Sequence, residues 1–150
     1  MTVTFSLPTV TDSISKLAIS GVDILDIDQI PASYAGNPHM LAPAPADFIT
    51  NLTITRDSFG TGGAEKMTAT YTLAYRYYHT SVGNALTFTE YANLIMAMKL
   101  ILEAFLTNDA ISGLVDLSVE SVSNIGPVTD PVGNYFHGFD ITLRITEFVV

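Results

Sequence analysis

The chain has 150 residues, of which 48% are hydrophobic, and its formal net charge is −9 at pH 7. This length predicts a single domain over 1–150, with enough apolar side chains for a core. The absence of cysteine excludes disulfides and thiolate chemistry, and the six scattered lysine and arginine residues form no basic patch for gripping nucleic acid.

The first predicted element is a short helix over 13–19, whose apolar residues recur at helical spacing. Thr11 or Asp12 would be its N-cap, and Gly21 follows its end. The next segment, "GVDILDIDQIP", is predicted to be a strand or an extended segment. The N-terminal residues lack the basic and apolar regions of a signal peptide, so none is expected.

A proline-rich extended loop is predicted over 31–46, "PASYAGNPHMLAPAPA". Its four prolines fix φ and remove backbone donors, and no helical or alternating period runs through it. Tyr34, Met40 and Leu41 are the apolar side chains that such a loop would expose. Because long loops often carry function, these three residues are candidates for a partner interface.

An antiparallel hairpin is predicted next, with strands over 48–58 and 67–79. The connecting "FGTGGAEK" lacks the Gly-Lys-Ser/Thr ending and the following helix of a phosphate-binding loop, so it is interpreted as a turn. A period of two divides the second strand into two faces. One face, predicted to be core, holds Ala69, Tyr71, Leu73, Tyr75, Tyr77 and His79; the other holds Thr68, Thr70, Thr72, Ala74, Arg76 and Tyr78.

Three interpretations of the aromatic stretch Tyr71–His79 stay open. Core packing is favoured, since aromatic side chains bury large apolar surfaces. Contact with a partner is the alternative for the end that carries Arg76, Tyr78 and His79. Stacking on nucleic-acid bases is the third, but it normally needs surrounding basic residues, and Arg76 stands alone.

A long helix is predicted over about 88–107, capped by Thr87 or Thr89. Its predicted core stripe consists of Tyr91, Leu94, Ile95, Met98, Ile101, Leu102 and Phe105. On the opposite side, Met96 and Leu100 stand beside charged residues, and we interpret them as a subunit contact. Those charges interrupt the longest apolar segment, so no membrane span is expected.

The end of the chain predicts another antiparallel hairpin. "LVDLSVESV" and "YFHGFDITLRITEFVV" both alternate apolar and polar residues, and the segment between them is rich in glycine and proline. With hairpins before and after one major helix, and no recurring strand-helix units, the predicted class is α+β. A mostly antiparallel sheet would pack against the long helix and the short N-terminal helix.

No motif predicts a reaction. His39, His79 and His137 lie far apart in three segments, which favours structural roles over a metal site. No serine lies in a nucleophile elbow. The acidic residues of 23–28 lack the glycine and distal glutamate of a calcium loop, so a solvated strand edge is favoured. The sequence therefore predicts no catalytic residue, no cofactor and no metal, and a protein that is not an enzyme.

The order of segments resembles that of a phage protein family. A short helix, an acidic extended segment, "IP" followed by "LAPAPADF", "SFGTGG" in a hairpin, "YTLAYRYYHTSVGN", one long helix and "IGPVTDPVGNYFHGFDITLRITEF" resemble the tail terminator, or tail-completion, proteins of long-tailed bacteriophages. The resemblance spans most of the chain. It implies a small α+β protein that assembles as a six-membered ring, ends the tail tube and docks it to the head connector.

The implied location is the virion, at the tail and neck, after assembly in the host cytoplasm. The implied partners are further copies of the chain, the tail-tube protein and the head-closure or connector protein, while DNA passes through unbound. Two alternatives are kept: another tail or neck component, such as a tail-tube or head-closure protein, and a small-molecule-binding or enzymatic α+β domain with a pocket beneath Tyr75, Tyr77 and His79.

Two sets of residues are expected to serve such a ring. The expected subunit and partner interface consists of Tyr34, Met40, Leu41, Arg76, Tyr78, His79, Met96 and Leu100. An acidic lining would let DNA pass because like charges repel. The expected lumen-lining residues, on the polar side of the C-terminal strands, are Asp116, Glu120 and Asp140; a merely solvated sheet face is the alternative for them.

Overall fold

The structure, a computed structural model, describes residues 5–30, 39–58, 65–81, 87–111 and 115–149. The predicted α+β class is confirmed, since two helices accompany one mostly antiparallel sheet of six strands. In chain order the elements are α1 (Leu7–Ser15), β1 (Asp23–Ile24), a 3-10 turn (Ile27–Gln29), β2 (Met40–Pro43), β3 (Ile49–Ser58), β4 (Glu65–Ser81), α2 (Thr87–Thr107), β5 (Asp116–Thr129) and β6 (Tyr135–Val149).

The sheet is built around β4, which is 17 residues long. One edge of β4 pairs with β6 along nearly its full length. The other edge is shared, because β3 pairs with the first part of β4 and β2 with the last part. The strand order is β1-β2-β4-β6-β5, and only β1 and β2 run parallel. Both predicted hairpins are confirmed by the β3–β4 and β5–β6 pairings.

The main core lies between the helices and one face of the sheet. The predicted core face of β4 is confirmed: Ala69, Tyr71, Leu73, Tyr75, Tyr77 and His79 are all buried. The helix α2 covers this face with Leu94, Ala97, Ile101 and Phe105, spaced at three and four residues. None of the described helices is long and apolar enough to cross a membrane.

A second, smaller apolar cluster lies on the opposite face of the sheet, which we call the outer face. Its buried members are Met40, Ala42, Tyr78, Val128 and Phe136. The outer face of β4 is therefore apolar at its C-terminal end, where Tyr78 is fully buried.

The helix α1 begins at Leu7, six residues before the predicted start at Ser13. Pro8 lies in its first turn, where the missing N–H costs nothing, and the side chain of the N-cap residue Ser6 makes no capping bond. Instead the buried carboxylate of Glu147 accepts a hydrogen bond from the backbone N–H of Ser6 at 2.7 Å. Glu147 also accepts one from the Tyr71 hydroxyl at 2.6 Å, so it joins the helix to the sheet.

The predicted loop over 31–46 contains a strand, and this prediction was wrong for β2. Met40–Pro43 pairs with β1 on one side and with β4 on the other. Its side chains alternate between the two faces, so Leu41 enters the main core and Met40 the second cluster. The strand tolerates Pro43 because this proline is its last residue.

The β5–β6 hairpin turns later than the glycine and proline residues indicate. The strand β5 continues through "SNIGPVT" with two register shifts, and Asn124 and Gly126 adopt positive φ there. The turn is made by Asp130, whose carboxylate accepts the backbone N–H groups of Val132 at 3.1 Å and Asn134 at 2.7 Å.

Candidate assembly surfaces and the histidine cluster

The two described residues predicted from the proline-rich segment do not form a surface. Met40 and Leu41 are buried, so their assignment to a partner interface was wrong. The reason is that they belong to a strand whose two faces are both covered. Tyr34 lies outside the described residues.

Arg76 and Asp140, predicted for two different surfaces, bind each other. The guanidinium donates from Nε to Oδ1 at 2.6 Å and from Nη2 to Oδ2 at 3.1 Å. Arg76 also donates to the carbonyl oxygen of Thr129, and the Asn124 side-chain amide donates to Asp140 at 2.7 Å. The hydrogen bond to Asp140 raises the pKa of Arg76. The pair therefore clamps β4, β5 and β6 together, and neither residue presents an unpaired charge.

Tyr78 is also removed from the surface. Its ring packs edge-on against Phe136, with 5.5 Å between the ring centroids, inside the second cluster. A fully buried side chain cannot contact a partner unless the cluster opens. Tyr78 was therefore wrongly placed on a partner interface.

Three exposed apolar side chains lie on the outer side of α2, and we call them the helix strip: Ile95, Met96 and Leu106, with the exposed ion pair of Lys99 and Glu103 between them. Met96 is 57% exposed, as predicted. Ile95, predicted for the core stripe, is 55% exposed, and Leu106 is 65% exposed. Leu100 is half-buried against the main core and lines a groove of about 300 Å³ beside Ile19, so it belongs to the edge of the core.

A second apolar surface lies on β3, and we call it the strand strip: Ile49, Leu52 and Ile54, all exposed. Ile54 pairs with the core residue Ala69 and Ile49 with the core residue Leu73, so both project on the helix side of the sheet, where both are exposed. Ile49 also lines an apolar groove of about 370 Å³ between α1 and the 3-10 turn.

Over the rest of its area the outer face is mostly polar, with Phe148 on β6 as an exposed apolar exception. Asp116 and Glu120 are exposed on β5, as predicted for a wet surface. A groove of about 410 Å³ crosses this face, with Glu120 and Arg144 among its charged lining. Its remaining residues are Asn51, Thr53, Thr55, Thr70, Tyr71 and Thr72. Asp140 lies on the same face but is bound to Arg76.

Two long strands leave a backbone edge open within the described part of the sheet. The strand β3 pairs only with β4, and β5 pairs only with β6. Open edges carry unpaired N–H and C=O groups that another strand can bind.

Two histidines and a tyrosine lie together near the C-terminal end of β4, and we call them the histidine cluster. Its members are His39, which precedes β2, and Tyr77 and His79 on β4. The Nδ1 atoms of His39 and His79 lie 3.0 Å apart. The Tyr77 hydroxyl oxygen lies 2.9 Å from Nδ1 of His79 and 3.4 Å from Nδ1 of His39. On its other side, Nε2 of His79 lies 3.3 Å from the carboxylate of Glu90 on α2.

Burial shifts the pKa values of His79 and Tyr77. It lowers the pKa of His79, and His39 and His137 lower it further, against an opposing effect of Glu90. Burial also raises the pKa of Tyr77. His137 is buried, and its Nδ1 has no hydrogen-bond partner among the described residues.

The three histidines lie in separate segments of the sequence, and the contact between His39 and His79 was not predicted. The pairing of Met40 with Tyr78 brings β2 alongside β4 and sets the two imidazoles edge to face. Recognising the strand β2 would have predicted this contact. His79 is buried, so its assignment to a partner surface was wrong as well.

The small-molecule pocket considered beneath Tyr75, Tyr77 and His79 finds no support in the packing. The ring of Tyr75 lies perpendicular to that of Phe48 at 5.3 Å, and the ring of Tyr77 lies 5.2 Å from that of Phe139. These aromatic contacts occupy the space beneath the strand. Among the described residues, no group of three or more histidine, cysteine, aspartate or glutamate side chains is arranged to hold a metal ion.

No protein-family model matches the chain, and no curated protein matches it significantly.

Proposed function

We propose that this protein is a structural component of a long-tailed bacteriophage, forming a ring that ends the tail tube and joins it to the head or neck connector. The observation that carries the proposal is the pair of uncovered apolar surfaces, the helix strip and the strand strip, on different elements of one small chain. The resemblance of the segment order to tail terminator proteins supports the same function.

Two different strips favour head-to-tail association. In a ring, each copy uses one surface toward the preceding copy and another toward the next, so the two surfaces must differ. The helix strip lies on α2 and the strand strip on β3. When the helix strip of one copy covers the strand strip of the next, every copy buries both strips. The assembly closes into a ring if the rotation between neighbouring copies is a whole-number fraction of a full turn.

The open edges of β3 and β5 add a second means of association. Two edge strands from neighbouring copies satisfy each other's backbone groups when they pair. Because β3 carries both an open edge and the strand strip, it is the element that contributes most to the proposed contact between copies. Six copies is the number that the family resemblance implies.

The proposed lumen surface is the outer face. Asp116 and Glu120 remain its acidic candidates, because both are exposed on the open-edge strand β5. Asp140 contributes less, since its carboxylate is paired with Arg76. With a net charge of −9 per chain, a ring of this protein repels the phosphates of passing DNA. The proposed partners are the tail-tube protein and the head-closure or connector protein, within the virion and after assembly in the host cytoplasm.

The oligomeric state tests this proposal. Native mass spectrometry and light scattering across a concentration series should show one closed oligomer, alone or after addition of tail-tube protein. The double variant Ile95→Lys with Met96→Lys should be monomeric, and so should Leu52→Lys with Ile54→Lys. Asn93→Lys and Thr55→Lys each add one positive charge at an exposed polar position of the same elements and should leave the oligomer intact.

Mixing the two double variants gives a sharper test. Each variant keeps one intact strip, so a one-to-one mixture should form heterodimers that contain one of each and go no further. If the helix strip instead contacted the helix strip of another copy, the variant with Leu52→Lys and Ile54→Lys would form homodimers by itself. That result, or a wild-type chain that stays monomeric even with tail-tube protein, contradicts the proposed ring.

A further inference from the structure

The atoms at the buried end of β4 converge in a way that core packing does not require. Nδ1 of His39, Nδ1 of His79 and the hydroxyl oxygen of Tyr77 form a triangle with sides of 2.9, 3.0 and 3.4 Å. The hydroxyl oxygen carries lone pairs, and each Nδ1 carries one when its imidazole is neutral and protonated at Nε2. We propose that this triangle binds one divalent transition-metal ion, with Zn²⁺ as the reference ion.

The size of the triangle fits the proposal. Ligand atoms at about 2.0 to 2.1 Å from a tetrahedral zinc lie about 3.3 Å from one another. The three observed separations lie within a few tenths of an ångström of that spacing. An ion above the triangle would therefore reach all three atoms with small side-chain movements, and its fourth position would be left for water.

A donation from Nε2 of His79 to Glu90 leaves on its Nδ1 the lone pair that a metal ligand needs. Without an ion, that lone pair can accept from the Tyr77 hydroxyl at 2.9 Å, and the Tyr77 oxygen can accept from Nδ1 of His39 at 3.4 Å. A bound ion would replace both hydrogen bonds, with His39 protonated at Nε2 and the hydroxyl proton of Tyr77 released to solvent.

The backbone positions both histidines by irregular geometry. His39 has φ of 65°, in the left-handed region that non-glycine residues seldom adopt. His79 lies at the register shift between Tyr78 and Thr80, where the β4–β6 ladder carries a bulge. Bulges and strained residues concentrate at binding sites because they redirect particular side chains. Both irregularities direct an imidazole into the same triangle.

Glu90 supplies the orienting group that metal-bound histidines usually have. Its carboxylate faces the Nε2 of His79, opposite the proposed metal-binding nitrogen, and accepts a hydrogen bond from the Thr80 hydroxyl at 3.2 Å. Such a carboxylate fixes the tautomer and the ring orientation of a ligating imidazole. The bound ion would thereby connect β2, β4 and, through Glu90, the start of α2.

Zinc binding by the metal-free full-length chain tests the proposal. After treatment with chelator and dialysis, isothermal titration with ZnCl₂ should show one ion per chain, and Zn²⁺ should raise the melting temperature. Co²⁺ should give the visible absorption bands of a tetrahedral site. His39→Gln, at a half-buried position, and His79→Gln should each lose one-to-one binding, and Tyr77→Phe should weaken it while keeping the ring.

Tyr78→Phe is the matched control, because it removes the neighbouring hydroxyl from the opposite face of the same strand, and it should bind Zn²⁺ as the wild type does. Absence of one-to-one Zn²⁺ binding by the folded wild type overturns the proposal. So does unchanged binding by His39→Gln. Oligomer formation is measured on the metal-free protein with the variants of the helix strip and the strand strip. The two proposals are therefore tested independently, and failure of one does not affect the other.

Discussion

Arg76 and Asp140 form a two-pronged ion pair across β4 and β6, with both side chains largely buried. Removing one partner leaves the other charge in a site with little water, which destabilises more than loss of a surface pair. We expect Asp140→Asn to lower the free energy of unfolding by about 2 to 4 kcal/mol in urea titrations. Asp116→Asn, at an exposed position of the adjacent strand, should change it by less than about 0.5 kcal/mol.

The same ion pair predicts non-additive energetics. The double variant Arg76→Met with Asp140→Leu removes both charges, so neither is left unpaired. Its loss of stability should be smaller than the sum of the two single losses, by about 1 kcal/mol or more in a double-mutant cycle. Additive losses would show that the two residues act separately.

The bond between Glu147 and Tyr71 predicts a link between α1 and the sheet. Tyr71→Phe leaves one oxygen of a buried carboxylate without its donor, at a cost of about 1 to 3 kcal/mol. Hydrogen exchange should show increased opening of α1 in this variant, because the same carboxylate accepts the N–H of Ser6. Exchange in α1 equal to that of the wild type would show that the helix is held by its apolar contacts alone.

Gly138 lies where the structure has no room for a side chain. A Cβ atom there would lie 1.9 Å from the carbonyl oxygen of Tyr77 and 2.7 Å from Cγ2 of Val128, so the backbone of β4 would have to move. Gly138→Ala should destabilise by about 3 kcal/mol or more. Gly133→Ala is the comparison, because Gly133 has φ of 93° but no neighbour within 4 Å, so only about 1 to 2 kcal/mol of backbone strain is expected.

Buried phenols predict weakening of the fold in alkali. Burial raises the pKa of Tyr71 and of Tyr75 above the ordinary value of 10.0, and Glu147 raises that of Tyr71 further. The unfolded chain ionises these groups above pH 10 while the folded protein keeps them protonated. Their contribution to stability is therefore complete below pH 10 and is lost as the pH rises above it.

Urea titrations at pH 9 and pH 11 measure this effect. The wild type should lose stability between the two values, and Tyr71→Phe should lose less. Tyr135→Phe, at an exposed position, should follow the wild type. Equal pH slopes for all three proteins would contradict the shifted pKa of Tyr71.

Periodicity accounts for the elements that the sequence predicted well. The alternation along β4 identified its core face, because nearly every second side chain there meets the helices. The long helix was located within about a residue, since its apolar pattern persists over five turns. The face that α2 turns toward the core was predicted less accurately, because apolar residues occur on all sides of this helix. Ile95 belongs to the predicted core stripe but is exposed.

Contacts distant in sequence account for the errors. The carboxylate that accepts the N–H of Ser6 lies 141 positions away, so no local cap marks the start of α1. The strand β2 is short, and it is recognisable only through its pairing with β1 and β4. The histidine cluster depends on that pairing, since His39 and His79 are 40 positions apart.

The shared edge of β4 has a consequence for how the molecule exchanges its amide protons. Because β6 covers one edge, and β3 and β2 divide the other, β4 donates and accepts backbone hydrogen bonds on both sides through most of its length. Its amides should be the slowest to exchange with deuterium, requiring separation of both flanking strands. The outward-facing amides of β3 and β5 should exchange within minutes in isolated chains and become protected wherever a neighbouring copy covers them, giving a residue-level map of the contact between subunits.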